Sequence, residues 1–132
     1  MHAHCVDGYC CNSTCNGNCA RCDVANNIGT CTNVAVGVQV PNCNTTFACD
    51  GMNNCKKLQG QQCASAGECL SGFCPNESNA SRYCCDVACT ALCQSCTGSH
   101  TVGGVSGTCD FVKDNTDPDS ECSGQCMANG NG

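Results

Sequence analysis

Cys10-Cys11-Asn12-Ser13-Thr14-Cys15-Asn16-Gly17-Asn18-Cys19-Ala20-Arg21-Cys22 is the stretch on which the reading of this sequence turns, because its cysteine spacing returns 74 residues later. Cys84, Cys85, Cys89, Cys93 and Cys96 reproduce the C-C-x3-C-x3-C-x2-C spacing residue for residue. The match continues with small insertions: Gly29-Thr30-Cys31 answers to Gly107-Thr108-Cys109, and the Cys-x-x-Val that follows falls at Cys31/Val34 and at Cys109/Val112. Cys43 then corresponds to Cys122, and Cys49 to Cys126. Five cysteines in one register, a vicinal pair among them, make an internal repeat, and a repeat governs every later inference about fold.

The repeat organises the remaining cysteines. One period, from Cys10 to Cys74, holds Cys10, Cys11, Cys15, Cys19, Cys22, Cys31, Cys43, Cys49, Cys55, Cys63, Cys69 and Cys74. Cys5 precedes the first Cys-Cys pair as Cys74 precedes the second, so residues 1–9 read as the end of a preceding unit. Residues 10–83 read as a first full repeat: a Cys-Cys part at 10–48, a second knot at 49–74 and a polar connection at 75–83. Residues 84–132 read as a second, incomplete repeat carrying Cys84, Cys85, Cys89, Cys93, Cys96, Cys109, Cys122 and Cys126. The expected assembly is an array cut across its period, or a subunit completed by its neighbours.

Composition sets the fold class. Of 132 residues 21 are cysteine, far above the roughly 8–10% that marks a disulfide scaffold. Leu, Ile, Val and Phe together number only 17 and there is no Trp, too little apolar surface for a single packed core. A small disulfide-rich fold is expected: irregular loops, short two-stranded β ribbons, little helix, and a tandem-repeat, rod-like architecture. The β-branched clusters at residues 32–40 and 107–112 are the expected ribbons, and residues 87–92 admit a brief helical turn. Bridges persist outside reducing compartments, so the expected location is extracellular or on a cell surface.

The same sulfurs could in principle hold metal or act in redox chemistry. Cys19-x-x-Cys22 and Cys93-x-x-Cys96 have the spacing of either, but no βαβ context accompanies them and no C-x-C spacing occurs. All 21 cysteines, Cys5 included, are therefore assigned to disulfides, with metal binding the distant alternative. An adjacent pair does not easily bond internally, so Cys10/Cys11 and Cys84/Cys85 are each expected to point to two different partners. Connectivity beyond that is not readable from spacing.

Net charge is −6, and Arg21, Lys56, Lys57, Arg82 and Lys113 form no basic stripe, which argues against nucleic acid. The longest apolar stretch, residues 34–40, is far too short to insert in a bilayer. Met1-His2-Ala3-His4-Cys5 has neither the n-region nor the h-region of a signal peptide, so either a removed export signal or a segment of something longer is expected, and the cysteine pattern favours the second. Asp114, Asp117, Asp119 and Glu121 offer carboxylates that could take calcium, though without the EF-hand spacing or glycine; a solvated turn is the simpler reading. Sequons at Asn12, Asn44, Asn76 and Asn79 allow glycosylation. His2, His4 and His100 belong to no catalytic motif; no catalytic residue and no cofactor is assigned, and the chain is expected not to be an enzyme.

On Cys5-Val-Asp-Gly-Tyr-Cys-Cys-Asn-Ser-Thr-Cys15, Gly-Thr-Cys31, Cys49-Asp-Gly, and Gly60-x-x-Cys63 through Ser71-Gly-Phe-Cys74, the chain resembles tandem cysteine-rich repeats of large secreted and cell-surface proteins of bacteria, notably myxobacteria and relatives. The resemblance covers nearly the whole chain and implies extracellular modular arrays with no known chemistry. The longer 75–83 connection and the insertion before Cys109 depart from it. Gly60 to Cys74 is more weakly similar to colipase- and Dickkopf-type knots, and the Cys-Cys run to furin-like modules. The expected role is a subunit or segment of a surface stalk or filament, with copies of itself as partners. The alternative is an adhesive or receptor-like module for a protein or glycan, using residues 98–107 and 114–121.

Overall fold

A computed structural model describes residues 4–6, 8–77 and 81–114. Within these residues the backbone forms eight strands of two or three residues: β1 (His4–Val6), β2 (Tyr9–Cys11), β3 (Ala20–Arg21), β4 (Thr32–Asn33), β5 (Phe47–Cys49), β6 (Cys55–Lys57), β7 (Gln94–Ser95) and β8 (Asp110–Phe111). They pair as four separate two-stranded sheets, β1 with β2, β3 with β4, β5 with β6 and β7 with β8. Among the described residues one 3-10 turn, Ala66–Glu68, is the whole of the helical content. This is a small disulfide-rich fold.

Eight bridges join pairs of described residues: Cys11–Cys22, Cys15–Cys31, Cys19–Cys49, Cys43–Cys55, Cys63–Cys74, Cys69–Cys84, Cys85–Cys96 and Cys89–Cys109. Cys93 is also oxidised. Among the described residues thirteen of the eighteen buried apolar ones are cysteines, so the sulfurs themselves form the core. One cluster joins Cys19, Cys43 and Cys49 to Val34 and Val40, with Phe47 against it. Another gathers Cys11, Cys15, Cys22 and Ala20, and a third consists of Cys63, Cys69, Cys74 and Cys84. Each bridge stabilises such a chain by about 2–4 kcal/mol through the entropy it removes from the unfolded state.

The chain forms two compact units, residues 1–56 and 57–132, and each described bridge closes inside one of them. The sequence period and the units are out of phase. Cys19–Cys49 and Cys43–Cys55 tie residues 49 and 55 back to the first Cys-Cys part, while Cys69–Cys84 ties the knot to the second.

Three expectations need adjustment. Residues 32–40 supply only β4, because the chain leaves the ribbon after Asn33, turns at Val36 and Gly37 and runs as loop to Phe47; residues 107–112 likewise supply only β8 and the single bridge of Val112 to Thr101. Residues 87–92 form bends and turns; the helical turn lies at Ala66–Glu68. Cys5 and Cys10, expected to be bridged, are thiols. Their counterparts Cys74 and Cys84 bond to Cys63 and Cys69, and residues 1–56 contain no counterpart of that knot.

Three carboxylates add surface ties. Asp23 takes a bidentate bond from Arg21, and the Lys57 ammonium sits 2.6 Å from Glu68. Asp50 caps its own turn by accepting from the amides of Met52 and Asn54 and from the Asn54 side chain. The Arg21 bond holds Asp23 below the usual carboxylate range, the Lys57 bond does so for Glu68, and the Asn54 side chain for Asp50. A pKa lowered by folding gives stability that is present above the ordinary value, near 4, and lost as pH falls through the lowered one. The thermal midpoint of the oxidised protein should stay level down to about pH 5 and decline below about pH 4. The decline should be shallow because these pairs are solvent-screened. A midpoint that rises on acidification would contradict these assignments.

Candidate functional site

The Cys-Cys part is built twice with the same bonds. In the first unit the Asn12 amide donates to the Gly29 carbonyl and Asn12 Oδ1 accepts from the Cys31 amide at 2.9 Å. In the second, Asp86 donates to Gly107 and Asp86 Oδ1 accepts from Cys109 at 2.9 Å. Gly29 donates to Cys22 as Gly107 does to Cys96, and Val34 to Cys19 as Val112 to Cys93. Ala20 faces Asn33 and Gln94 faces Phe111 in matching ribbons. Cys15 and Cys89 share a left-handed backbone, with φ of 49° and 51°.

The differences between the two copies carry the chemistry. Where the first unit has the Arg21–Asp23 ion pair, the second has Ser95 and Thr97, and Glu77 of the connection comes in to meet them. Glu77 is 5% exposed. Its Oε2 accepts from the Ser95 hydroxyl at 2.8 Å, its Oε1 accepts from the Cys96 amide, and the Thr97 hydroxyl donates to the Ser81 carbonyl. His100 Nδ1 lies 3.9 Å from Glu77, beyond hydrogen-bond reach. Ser95 is itself buried and spends its proton on the carboxylate, so the Glu–Ser–His grouping works as a buried anchor for the connection. The Glu77→Ala variant should lose about 2–3 kcal/mol, because a buried amide and a buried hydroxyl are left without acceptors. A thermal midpoint equal to that of the parent would show the anchor to be idle.

Cys5 and Cys10 form the second distinctive group. They face each other across β1 and β2, both exposed, with their sulfurs 3.3 Å apart. The hydrogen bond that Cys5 shares with Cys10, and the repulsion between the two sulfurs when charged, hold the Cys5 thiol above its ordinary value. In the second unit the equivalent sulfurs are buried in bridges to the knot.

Among the described residues two sulfur clusters have metal-like geometry: Cys19, Cys43 and Cys49, and Cys63, Cys69 and Cys74. Every one of these sulfurs is in a disulfide, and zinc takes thiolates. Of the calcium candidates Asp114 is exposed, while Asp117, Asp119 and Glu121 lie outside the described residues. Asn12, Asn44 and Asn76 are exposed at their sequons; Asn79 lies outside the described residues. So do His2, Cys122 and Cys126.

The 98–107 loop is pinned. Gly98 donates to the Ser106 hydroxyl, Val102 to the Phe111 carbonyl, and Thr101 is fully buried. It presents Val102 and Val105 outward, both more than half exposed. In the first unit an open groove of about 370 Å³ runs beside Arg21, Val34, Val38 and Val40.

No protein-family model matches the chain, and searches of curated proteins and of solved structures find no significant match. The bridges themselves define its class: a disulfide-rich domain of the extracellular type, suited to an oxidising environment. No helix among the described residues is long and apolar enough to cross a membrane.

Proposed function

We propose that this protein is a non-enzymatic structural repeat of an extracellular or cell-surface array, a stalk or filament segment held by disulfides. The supporting observation is the double construction of the Cys-Cys part, with the same two bridges and the same amide bonds recurring along one chain. Stability in such arrays is a sum of unit terms and nearest-neighbour terms, so no large common core is required. Copies of the same chain are the natural partners, and an open head-to-tail contact extends into a filament. Light scattering and electron microscopy of the oxidised protein should show elongated multimers. A protein that remains monomeric at all accessible concentrations would remove the filament role.

A second reading, an adhesive or receptor-like module for a protein or glycan, draws support from the pinned 98–107 loop and its outward valines. Substituting Val102 and Val105 by Ser should then abolish cell-surface adhesion while leaving multimer size unchanged. The structural reading expects adhesion, if any, to be unaffected.

A further inference from the structure

We infer that the β2 edge of the first unit, with Cys5, Cys10 and the face of Gly29, receives a knot segment of the Gly60–Cys69 type from another polypeptide segment and becomes bridged to it through both thiols. The inference rests on the repeat reading and names the joint that such an array would use.

The second unit shows what covers this surface. There the knot lies along the edge of residues 82–84: Gly60 donates to the Cys84 carbonyl at 2.9 Å, Cys84 to Gln61 at 2.8 Å, and Cys63 to Arg82 at 2.9 Å. Tyr9-Cys10-Cys11 is the first-unit counterpart of Tyr83-Cys84-Cys85. The other side of the hairpin is matched too, since Cys85 donates to the Phe73 carbonyl where β1 sets His4 opposite Cys11. Antiparallel pairs alternate between hydrogen-bonded and non-hydrogen-bonded, and Val6 opposite Tyr9 flanks a two-residue connection. Cys5 and Cys10 therefore form a non-hydrogen-bonded pair. Their side chains approach, and the Cys10 amide and carbonyl point to the opposite edge, the one that Cys84 gives to Gly60 and Gln61.

Gly29 completes the match. A Cβ placed on Gly107 would lie 2.3 Å from the Gly60 nitrogen, because the knot backbone rests on that glycine. A Cβ on Gly29 would meet only the Cys10 carbonyl, at 3.4 Å. Residues 1–56 repeat the bare glycine and both half-cystines of the joint, while the Gly60–Cys69 sequence that uses them in the second unit does not recur among those residues. By the second unit's pattern, Cys5 takes the place of Cys74 and bonds the Cys63 equivalent; Cys10 takes the place of Cys84 and bonds the Cys69 equivalent. Each bridge forms with loss of two thiol protons and two electrons to oxidised glutathione, which leaves as two reduced molecules.

The probe is a synthetic peptide of residues 57–70, which carries Cys63 and Cys69, added to the 132-residue protein in a glutathione redox buffer. The expected product is a one-to-one adduct, released by reductant, in which peptide mapping finds Cys5 joined to Cys63 and Cys10 to Cys69. The Gly29→Ala variant, checked for the parent's other bridges, should form at least tenfold less of it. Closure of a Cys5–Cys10 bridge with the peptide excluded would overturn the inference, and so would scrambled adducts indifferent to Gly29. Adduct formation is read by mass on a single chain, so its failure is distinct from a failure to multimerise.

Discussion

Replacing Cys19 and Cys49 together by Ala is expected to cost the first unit about 3–4 kcal/mol from loop closure alone, with lost packing added to that. The bridge spans 30 residues, the longest separation among the described pairs, and both residues are fully buried. Its sulfurs sit at the centre of the cluster that includes Val34, Val40 and Cys43, with Cys19 Sγ 3.5 Å from Cys43 Sγ. Removing it also loosens the segment between β4 and β5, which then depends on the Cys43–Cys55 bridge and on backbone ties such as Gly37 to the Cys49 carbonyl and Cys49 to the Val38 carbonyl. The cost is large against the 5–15 kcal/mol that typically separates folded from unfolded domains. A double-Ala protein with the parent's thermal midpoint, and with the remaining bridges in place, would show that the smaller loops suffice. Serine at the same positions should be worse, because it adds buried hydroxyls to the lost bridge.

The fold class was legible because cysteine spacing is rigid information. A C-C-x3-C-x3-C-x2-C run repeated 74 residues on fixes which positions are equivalent, whatever they bond to. Gly29 and Gly107, each just before a Thr-Cys, are aligned by the same spacing, and both fall in the turns ahead of β4 and β8. Connectivity was not legible, since spacing says nothing of which sulfurs meet in space. The ribbons at β2 and β5 escaped because two or three residues are too few to show a period of two. Glu77 escaped for a different reason. Among Asn76, Ser78 and Asn79 it reads as part of a solvated connection, and its burial depends on donors at Ser95 and Cys96 that only the folded chain brings to it. A comparison of positions 21 and 23 with 95 and 97 held the one available hint: an ion pair in one copy is replaced by two uncharged hydroxyl residues in the other. The thiol edge was half legible. The register of Cys5 against Cys74 was visible in the sequence. That Cys74 and Cys84 both bond to the knot, which strips Cys5 and Cys10 of partners, came only from the bridges.

Gly107→Ala and Gly29→Ala should have sharply unequal effects, although the two glycines are equivalent in the repeat. Both have left-handed backbones, with φ of 95° and 84°, so each alanine carries a conformational cost of about 1–2 kcal/mol. At Gly29 that is nearly the whole cost, because the new methyl would find only one atom, at ordinary contact distance. At Gly107 the methyl would meet the Gly60 nitrogen at 2.3 Å and its Cα at 2.6 Å, with the Cys84 carbonyl 3.0 Å away on a third side. All three are backbone atoms. No rotamer change relieves the clash, so the knot must lift from the Cys-Cys part. Lifting it breaks the Gly60–Cys84 and Cys84–Gln61 bonds and the Gln59–Thr108 contact, and strains Cys69–Cys84. We expect more than about 4 kcal/mol, a loss rare for a single substitution and tied to overpacking against an unyielding surface. The oxidised Gly107→Ala protein should show mispaired Cys63, Cys69, Cys74 and Cys84 on peptide mapping, with the four bridges of residues 1–56 intact. Equal melting behaviour for the two variants would mean that the knot does not rest on Gly107. It would then also remove the reason to regard Gly29 as the uncovered half of a joint.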